Sequence, residues 1–264
     1  VTHPSSAASD LLWNAWQSGE AIGPLPPALR PVDRAQGYAV QAGLDARSAR
    51  PIAGWKIAAT STAGQKHINV SGPLAGRVPA ERVHADGAAL SMAGNRMAVA
   101  EAEFVFRMAR DLPPRAAAYG RDEAMDAVAD LYLGIEVPNS RFADFVGAGE
   151  AQLIADSACA HEFVLGPKVT HPWRGLDLSA HRVHARVTGT ARSYTRDGVG
   201  ANVLGDPRTA LAWLVNELSQ LGLTLAAGQF VTTGTCVVPL EIVVGDTVEA
   251  DFGALGRMSA RFTD

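Results

Sequence analysis

The sequence predicts an α+β protein: a small helical N-terminal part joined to a β-rich body with a few helices. Three observations carry this. Apolar residues in the first fifty positions recur at helical spacing. Beyond residue 52 the segments shorten, alternate with period two and are split by glycine. One strongly marked helix, 207–221, stands within that strand-rich part. The expected organisation is a helical segment over 1–50 and a β-rich body over 51–264, together one compact domain.

The elements follow in order. Residues 1–10 read as a frayed leader. Ser9 or Asp10 then caps a short helix carried by Leu11, Leu12, Ala15 and Trp16, which Gly19 ends. Gly23–Pro31 is a proline-rich bridge. A second helix is expected over 32–48, with Val32, Ala35, Tyr38, Ala39 and Ala42 on one face. Ile52 to Ala59 reads as a strand, followed by a Ser/Thr/Gly loop and a turn marked by Gly72, Pro73 and Gly76. Strands are expected at 82–90 and 97–108, a helix at 121–133 through Ala124, Val128 and Leu131, and a buried strand at 133–137. Alternation over 176–196 with Gly189 at its turn predicts a hairpin. Asp206 as N-cap, Pro207 in the first turn and Gly222 after the last frame the helix 207–221. Short strands at 230–233, 241–244, 247–252 and 258–262 close the chain.

At 264 residues the chain buries a core without staples. Lys and Arg number 23 against 27 Asp and Glu, a net charge of −4, which argues against a nucleic-acid partner. Hydrophobic residues are 47% and charged ones 19%, a balance that excludes wholesale disorder. Cys159 and Cys236 lack CxxC partners and suit a reducing compartment. No apolar run reaches the ~18–20 residues of a membrane span, and the N-terminus has no signal-peptide pattern. A soluble, cytoplasmic protein with no membrane partner is expected.

The sharpest chemical feature is Ala100-Glu101-Ala102-Glu103-Phe104-Val105-Phe106. In a strand, Glu101 and Glu103 share one face and Ala100, Ala102, Phe104 and Phe106 the other. Two carboxylates about 7 Å apart on such a face repel unless a cation lies between them. Mg²⁺ or Mn²⁺ suits oxygen donors; the plain alternative is a solvated face with two exposed glutamates. Glu136 stands alone in the apolar run Leu133-Gly134-Ile135-Glu136-Val137, so it needs a partner, either a cation or an arginine such as Arg141. Lys56 in Gly54-Trp55-Lys56-Ile57-Ala58 is also a lone charge. Burial would depress its pKa and fit it for proton transfer, or it is a snorkelling edge lysine.

These residues resemble the 2-keto-4-pentenoate hydratase and 2-oxohex-3-enedioate decarboxylase family, within the fumarylacetoacetate hydrolase superfamily. The matching stretches are AQGYAVQ (35–41), GWKIAATS (54–61), EAEFVF (101–106), IEVPNSRF (135–142), DSACAHEFVLG (156–166), GDPRTALAWLVNELSQLG (205–222), GQFVTTGT (228–235) and LGRMSARF (255–262). The resemblance implies a mixed β-rich roll with flanking helices, and homo-oligomers. It implies metal ligands at Glu101, Glu103 and Glu136, Mg²⁺ or Mn²⁺ as the metal, and an active-site lysine at Lys56.

Three stretches depart from the family pattern. Pro-Asp-aromatic-Gly reads Pro73-Leu74-Ala75-Gly76, so Leu74 takes the place of an acid thought to join the lysine in proton transfer. Asp-Asn-Ala-Ser reads Asp156-Ser157-Ala158-Cys159, and Asp-Ser-Arg reads Asn139-Ser140-Arg141. His161 and Glu162 are candidates to replace the missing acid, His161 the better for proton transfer near neutral pH. Arg141, Ser61 and Thr235 are candidates for holding substrate.

The implied activity is metal-dependent hydration of 2-hydroxy-2,4-dienoates to 4-hydroxy-2-oxo acids, the ligand being a small 2-oxo acid. A 2-oxo-3-enedioate decarboxylase or an acylpyruvate hydrolase is the alternative within the superfamily. A non-catalytic oxo-acid binder or structural paralogue is the alternative outside it.

Overall fold

The computed structural model describes residues 4–190 and 192–264. In chain order its elements are α1 (Pro4–Ser18), α2 (Arg34–Gln41), β1 (Gly54–Ala58), α3 (Thr62–His67), β2 (Leu74–Val78), β3 (Val83–Ala85), β4 (Ala89–Ser91) and β5 (Val99–Met108). Then come α4 (Arg121–Asp126), β6 (Val128–Val137), α5 (Glu150–Ala155), β7 (Glu162–Lys168), β8 (Arg182–Thr188) and β9 (Ser193–Val199). The last are α6 (Pro207–Gln220), β10 (Phe230–Thr235), β11 (Leu240–Glu241), β12 (Thr247–Asp251) and β13 (Arg257–Thr263).

Two mixed sheets form the body. The larger runs β2-β1-β10-β5-β6-β7-β3, with β11 paired to the start of β5. The smaller runs β4-β13-β12-β8-β9. One face of β5 and β6 carries Ala100, Ala102, Phe104, Phe106, Leu131, Leu133 and Ile135. They share one buried cluster with Val187 and Val248 of the smaller sheet and Leu211, Leu214 and Leu218 of α6. Phe104 meets Phe252 edge-on, with ring centroids 5.2 Å apart. The opposite face bears Glu101 and Glu103, then a small apolar cluster where Phe163 stacks on Phe230. Across β5 and β6 the larger sheet thus has one apolar face and one face that holds charge.

Sequence signals and structure agree where local chemistry decides. Helix α6 starts at Asp206, whose side chain accepts from the Arg208 N–H, and is followed by Gly222 in the left-handed region. The β8–β9 hairpin turns at Gly189.

They part where tertiary contacts decide. Positions 4–10 are helical rather than frayed, because Ala8 and Leu12 pack with Val40 and Phe142, and the Ser9 hydroxyl donates to the Val40 carbonyl. Residues 1–3 of the expected leader lie outside the described residues. The second helix spans Arg34–Gln41 rather than 32–48; Asp33 caps it, and a 3₁₀ turn follows over 42–44. The helix expected over 121–133 stops at Asp126 and strand β6 begins at Val128. Pairing on both edges, with β5 and β7, overrides the helical spacing of Val128 and Leu131.

The expected turn at Pro73–Gly76 is instead strand β2 against β1. A Cβ at Gly76 would lie 2.0 Å from the Ser157 carbonyl oxygen, so glycine here serves close approach rather than turning. The strand expected over 82–90 is two strands broken at Gly87, and that over 241–244 pairs only through Leu240 and Glu241. Helix α3, capped by Ser61, and helix α5 occupy segments read as loop or left unassigned. Among the described residues no helix is long and apolar enough to cross a membrane.

Candidate active site

The β5/β6 register sets Glu101 opposite Glu136 and Glu103 opposite Gly134. Directly opposed residues of an antiparallel pair project to one face, so the three carboxylates converge. One oxygen from each lies within 4.8 Å of the others.

Their partners are incomplete. Strand β10 bulges between Thr232 and Thr235, at Gly234 with φ 107°. There Glu103 Oε2 accepts from the Gly234 N–H at 2.7 Å and from the Thr232 hydroxyl. Only glycine fits, since a Cβ on Gly234 would stand 2.3 Å from Thr60 Oγ1. Glu103 Oε1 and both Glu136 oxygens, all buried, have no hydrogen-bond partner among the described residues. Lys56 Nζ lies 3.1 Å from Glu136 Oε2 as an ion pair.

Lys56 is itself buried and donates to the Ala158 carbonyl at 3.0 Å. That carbonyl is presented by an unusual turn, with Ser157, Ala158 and Cys159 all left-handed at φ 50°, 50° and 62°. Consecutive left-handed non-glycine residues cost of order 1–3 kcal/mol each and persist only where the surroundings over-determine them. Here the turn closes onto Gly76 of β2.

The electrostatics follow. Burial pushes Glu101 above the usual carboxylate range, against the pull of Lys56. Glu103 is pushed up to about 8, by burial first and the Glu101 charge second. Burial raises Glu136 well above its ordinary value, although Lys56 opposes it. Burial alone would lower Lys56, but Glu136 and then Glu101 outweigh it and the ammonium is held above its ordinary value. The depressed lysine expected from its apolar neighbours is therefore not what the folded chain presents: three carboxylates share one ammonium. With all three ionised the deficit is two positive charges, and the raised pKa values express the cost of that state. An oxygen-only donor set with orphaned buried oxygens fits a hard divalent cation, held by Glu101, Glu103 and Glu136.

The cluster opens into a cleft of about 620 Å³, bordered by Lys56, Glu101, Ser61 and Thr235. The last two hydroxyls are partly engaged: Ser61 Oγ accepts from the Gly64 N–H at 3.1 Å, and Thr235 donates to the Val237 carbonyl at 2.7 Å. Cys159 also lines the cleft, its thiol pushed up to about 12 by burial and so neutral.

Glu103 and Glu136 lie behind its wall, and Arg141, His161 and Glu162 do not line it. Arg141 is spent on Asp156, on the Asn139 carbonyl at 3.0 Å and on the Ala160 carbonyl at 2.6 Å. It is not the partner of Glu136; Lys56 is. His161 accepts from the Trp16 indole N–H at 3.0 Å and borders a separate cavity of about 410 Å³ with Arg82 and Arg96. Burial lowers its pKa to about 4, so it is neutral at pH 7. Glu162 pairs with Arg82 and His84 beside that second cavity. Leu74, where an acid was expected, is wholly buried opposite Ala58.

Sequence reasoning missed the Thr232–Gly234 cradle of Glu103, the Ala158 carbonyl and the approach at Gly76. The cradle had a signal, since a glycine inside a strand marks a bulge or a close approach. The left-handed turn had none, because alanine and cysteine rarely adopt it.

The chain resembles proteins of known activity along most of its length. It is 31% identical to a 2-keto-4-pentenoate hydratase of Burkholderia vietnamiensis (strain G4 / LMG 22486), covering 96% of this chain and 95% of that one. It is 29% identical to a 2-hydroxyhexa-2,4-dienoate hydratase of Comamonas testosteroni, covering 82% and 80%. The solved 4-oxalocrotonate decarboxylase from Pseudomonas putida G7, complexed with magnesium and adipate, superposes with a TM-score of 0.85 over 98% of this chain and 97% of that one, at 24% identity. The family model of the fumarylacetoacetate hydrolase C-terminal region matches residues 50–263. That span holds both sheets and every carboxylate of the cluster, and the chain belongs to the fumarylacetoacetate hydrolase C-terminal family.

Proposed function

We propose that the chain is a metal-dependent hydro-lyase that adds water to 2-hydroxy-2,4-dienoates of the 2-keto-4-pentenoate type, giving 4-hydroxy-2-oxo acids. The observation that carries this is the set of orphaned oxygens on Glu103 and Glu136, facing Glu101 and closed by Lys56. The names of the near-full-length relatives support the reaction class. We take the cation as Mg²⁺ or Mn²⁺ and the ligand as a small 2-oxo acid.

A divalent cation held by Glu101, Glu103 and Glu136 would supply Lewis-acid polarisation of such an acid. The chain does the rest. Glu101 stands on the cleft wall, whereas Glu103 and Glu136 are buried behind it. Lys56 Nζ is the proton carrier nearest the carboxylates, held in place by Ala158 and Glu136. The neutral Cys159 thiol and the apolar wall around it limit water at that nitrogen.

The test is spectroscopic. Purified protein with Mg²⁺ or Mn²⁺ should bleach the ultraviolet absorbance of 2-hydroxypenta-2,4-dienoate, and chelation should stop it. Release of CO₂ from a 2-oxo-3-enedioate without hydration of any dienoate would replace the hydratase with a decarboxylase. Binding of 2-oxo acids with no turnover of any panel member would leave a binding protein.

A further inference from the structure

The cleft is far larger than the carboxylate cluster needs, and its outer part differs from its inner part. Strand β5 carries Glu101 and, two residues before it, Val99 on the same face, about 7 Å further out. Met97, Val237 and Val238 continue the wall on that side, and Ile68 and His67 of the α3 end face the same space. Among the described residues bordering the cleft, the charged ones are Lys56, Glu101 and Glu241, and no arginine is present. Glu241 sits opposite Val99 in the β5/β11 pair, at the outer end. It is paired with Arg196 at 2.6 Å and accepts from the Tyr194 hydroxyl at 3.2 Å, so the arginine closest to this carboxylate is engaged. The imidazole of His67 packs edge-on against Phe145.

Resting on the 2-oxo acid reading above, we infer that the outer cleft is a tail pocket: the chain takes 2-oxo acids and dienoates with an apolar alkyl or aryl end and rejects those with a second, distal carboxylate. A distal carboxylate would lose water against Val99, Met97 and Val237 and find no unpaired cation among the described residues bordering the cleft, since Lys56 is held by Glu136 and the nearby Arg196 by Glu241. An alkyl tail gains on the same wall, about fourfold per buried methylene.

Calorimetric titration with 2-oxo acids in the presence of Mg²⁺ reads this without turnover. We expect 2-oxohexanoate to bind roughly 10-fold tighter than 2-oxobutanoate. The matched diacid, 2-oxoadipate, should bind roughly 10-fold more weakly than 2-oxohexanoate. Val238→Lys, at a position 65% exposed and tolerant of the change, should narrow the hexanoate–adipate gap by roughly threefold. Equal or tighter binding of 2-oxoadipate by the unaltered chain, no dependence on alkyl length, or no binding of any of the three overturns the inference. If the binding order holds while no dienoate is hydrated, the tail pocket stands and the hydratase reading falls. If dienoates are hydrated and the order is reversed, the hydratase stands and the tail pocket falls.

Discussion

Two buried clusters of charge sit back to back in this molecule, separated by one stretch of chain, residues 156–160. On one side Arg141 meets Asp156, and every polar atom is answered. The Ser140 hydroxyl donates to Asp156 at 2.7 Å, the Arg141 amide does so at 3.1 Å, and the guanidinium stacks 4.3 Å from the Trp16 ring centroid. On the other side Lys56 meets three glutamates, and Glu103 Oε1 and both Glu136 oxygens accept no hydrogen bond from the described residues. Lys56, Glu103 and Glu136 are as buried as Arg141 and Asp156, while Glu101 reaches the cleft. What separates structure from chemistry is the accounting of partners: a complete set holds the fold, and an incomplete one leaves charged donors free to take a ligand.

The largest break in that contrast should come from the incomplete side. Glu136→Gln and Glu103→Gln should each cut metal-dependent turnover by about 10³-fold or more, because each removes a charged oxygen donor. The same variants, freed of carboxylate repulsion, should unfold at equal or higher urea concentration without metal. Denaturation alongside kinetics checks both halves, and a destabilised, active variant would reverse the roles of the two clusters.

Lys56→Met should lower turnover by about 10²–10⁴-fold, while calorimetric affinity for Mn²⁺ stays within roughly threefold. Near-normal turnover would make the lysine a mere counter-charge.

On the complete side, Asp156→Ala should cost about 3–5 kcal/mol of unfolding free energy, since it strands the Arg141 cation in the interior. Urea titration measures it. A loss under about 1 kcal/mol would show that the guanidinium reaches water.

The smallest effect concerns His161. Burial lowers its pKa to about 4, and the unfolded value is about 6.5. Between these the unfolded chain takes a proton that the folded chain refuses. The histidine's contribution to stability is therefore intact above pH 6.5 and falls as pH drops toward and below 4, by about 3 kcal/mol in all. His161→Gln should flatten that part of the pH–stability curve and keep turnover within a few-fold of the original. A large loss of turnover with unchanged pH–rate shape would mean that the Trp16 contact shapes the cleft from behind.

Much of this was legible in residues. Glu101 and Glu103 read as one face because strand alternation is local, and Glu136 and Lys56 stood out because lone charges in apolar strands demand partners. The α+β class and the frame of α6 were equally local, set by Asp206, Pro207 and Gly222. Arg141 and His161 were misplaced for a physical reason. Arg141 is held by Asp156 and the Ala160 carbonyl, and His161 by the Trp16 indole, contacts between distant parts of the chain that no local side-chain preference announces. The β6 segment misled similarly, since Ala124, Val128 and Leu131 fit a helix until two neighbouring strands compete for the backbone.

The Glu103 cradle also bears on the order in which the molecule acquires its parts. Thr232 and Gly234 lie 129 and 131 positions after the carboxylate they hold, and Lys56 lies 102 positions before the carbonyl that fixes it. A ribosome therefore releases the acidic β5–β6 hairpin well before the strand that completes it. Loop-closure entropy delays such distant pairings further. Cation affinity should be among the last properties to mature, and a chain cut short before β10 would carry the glutamates without the grip.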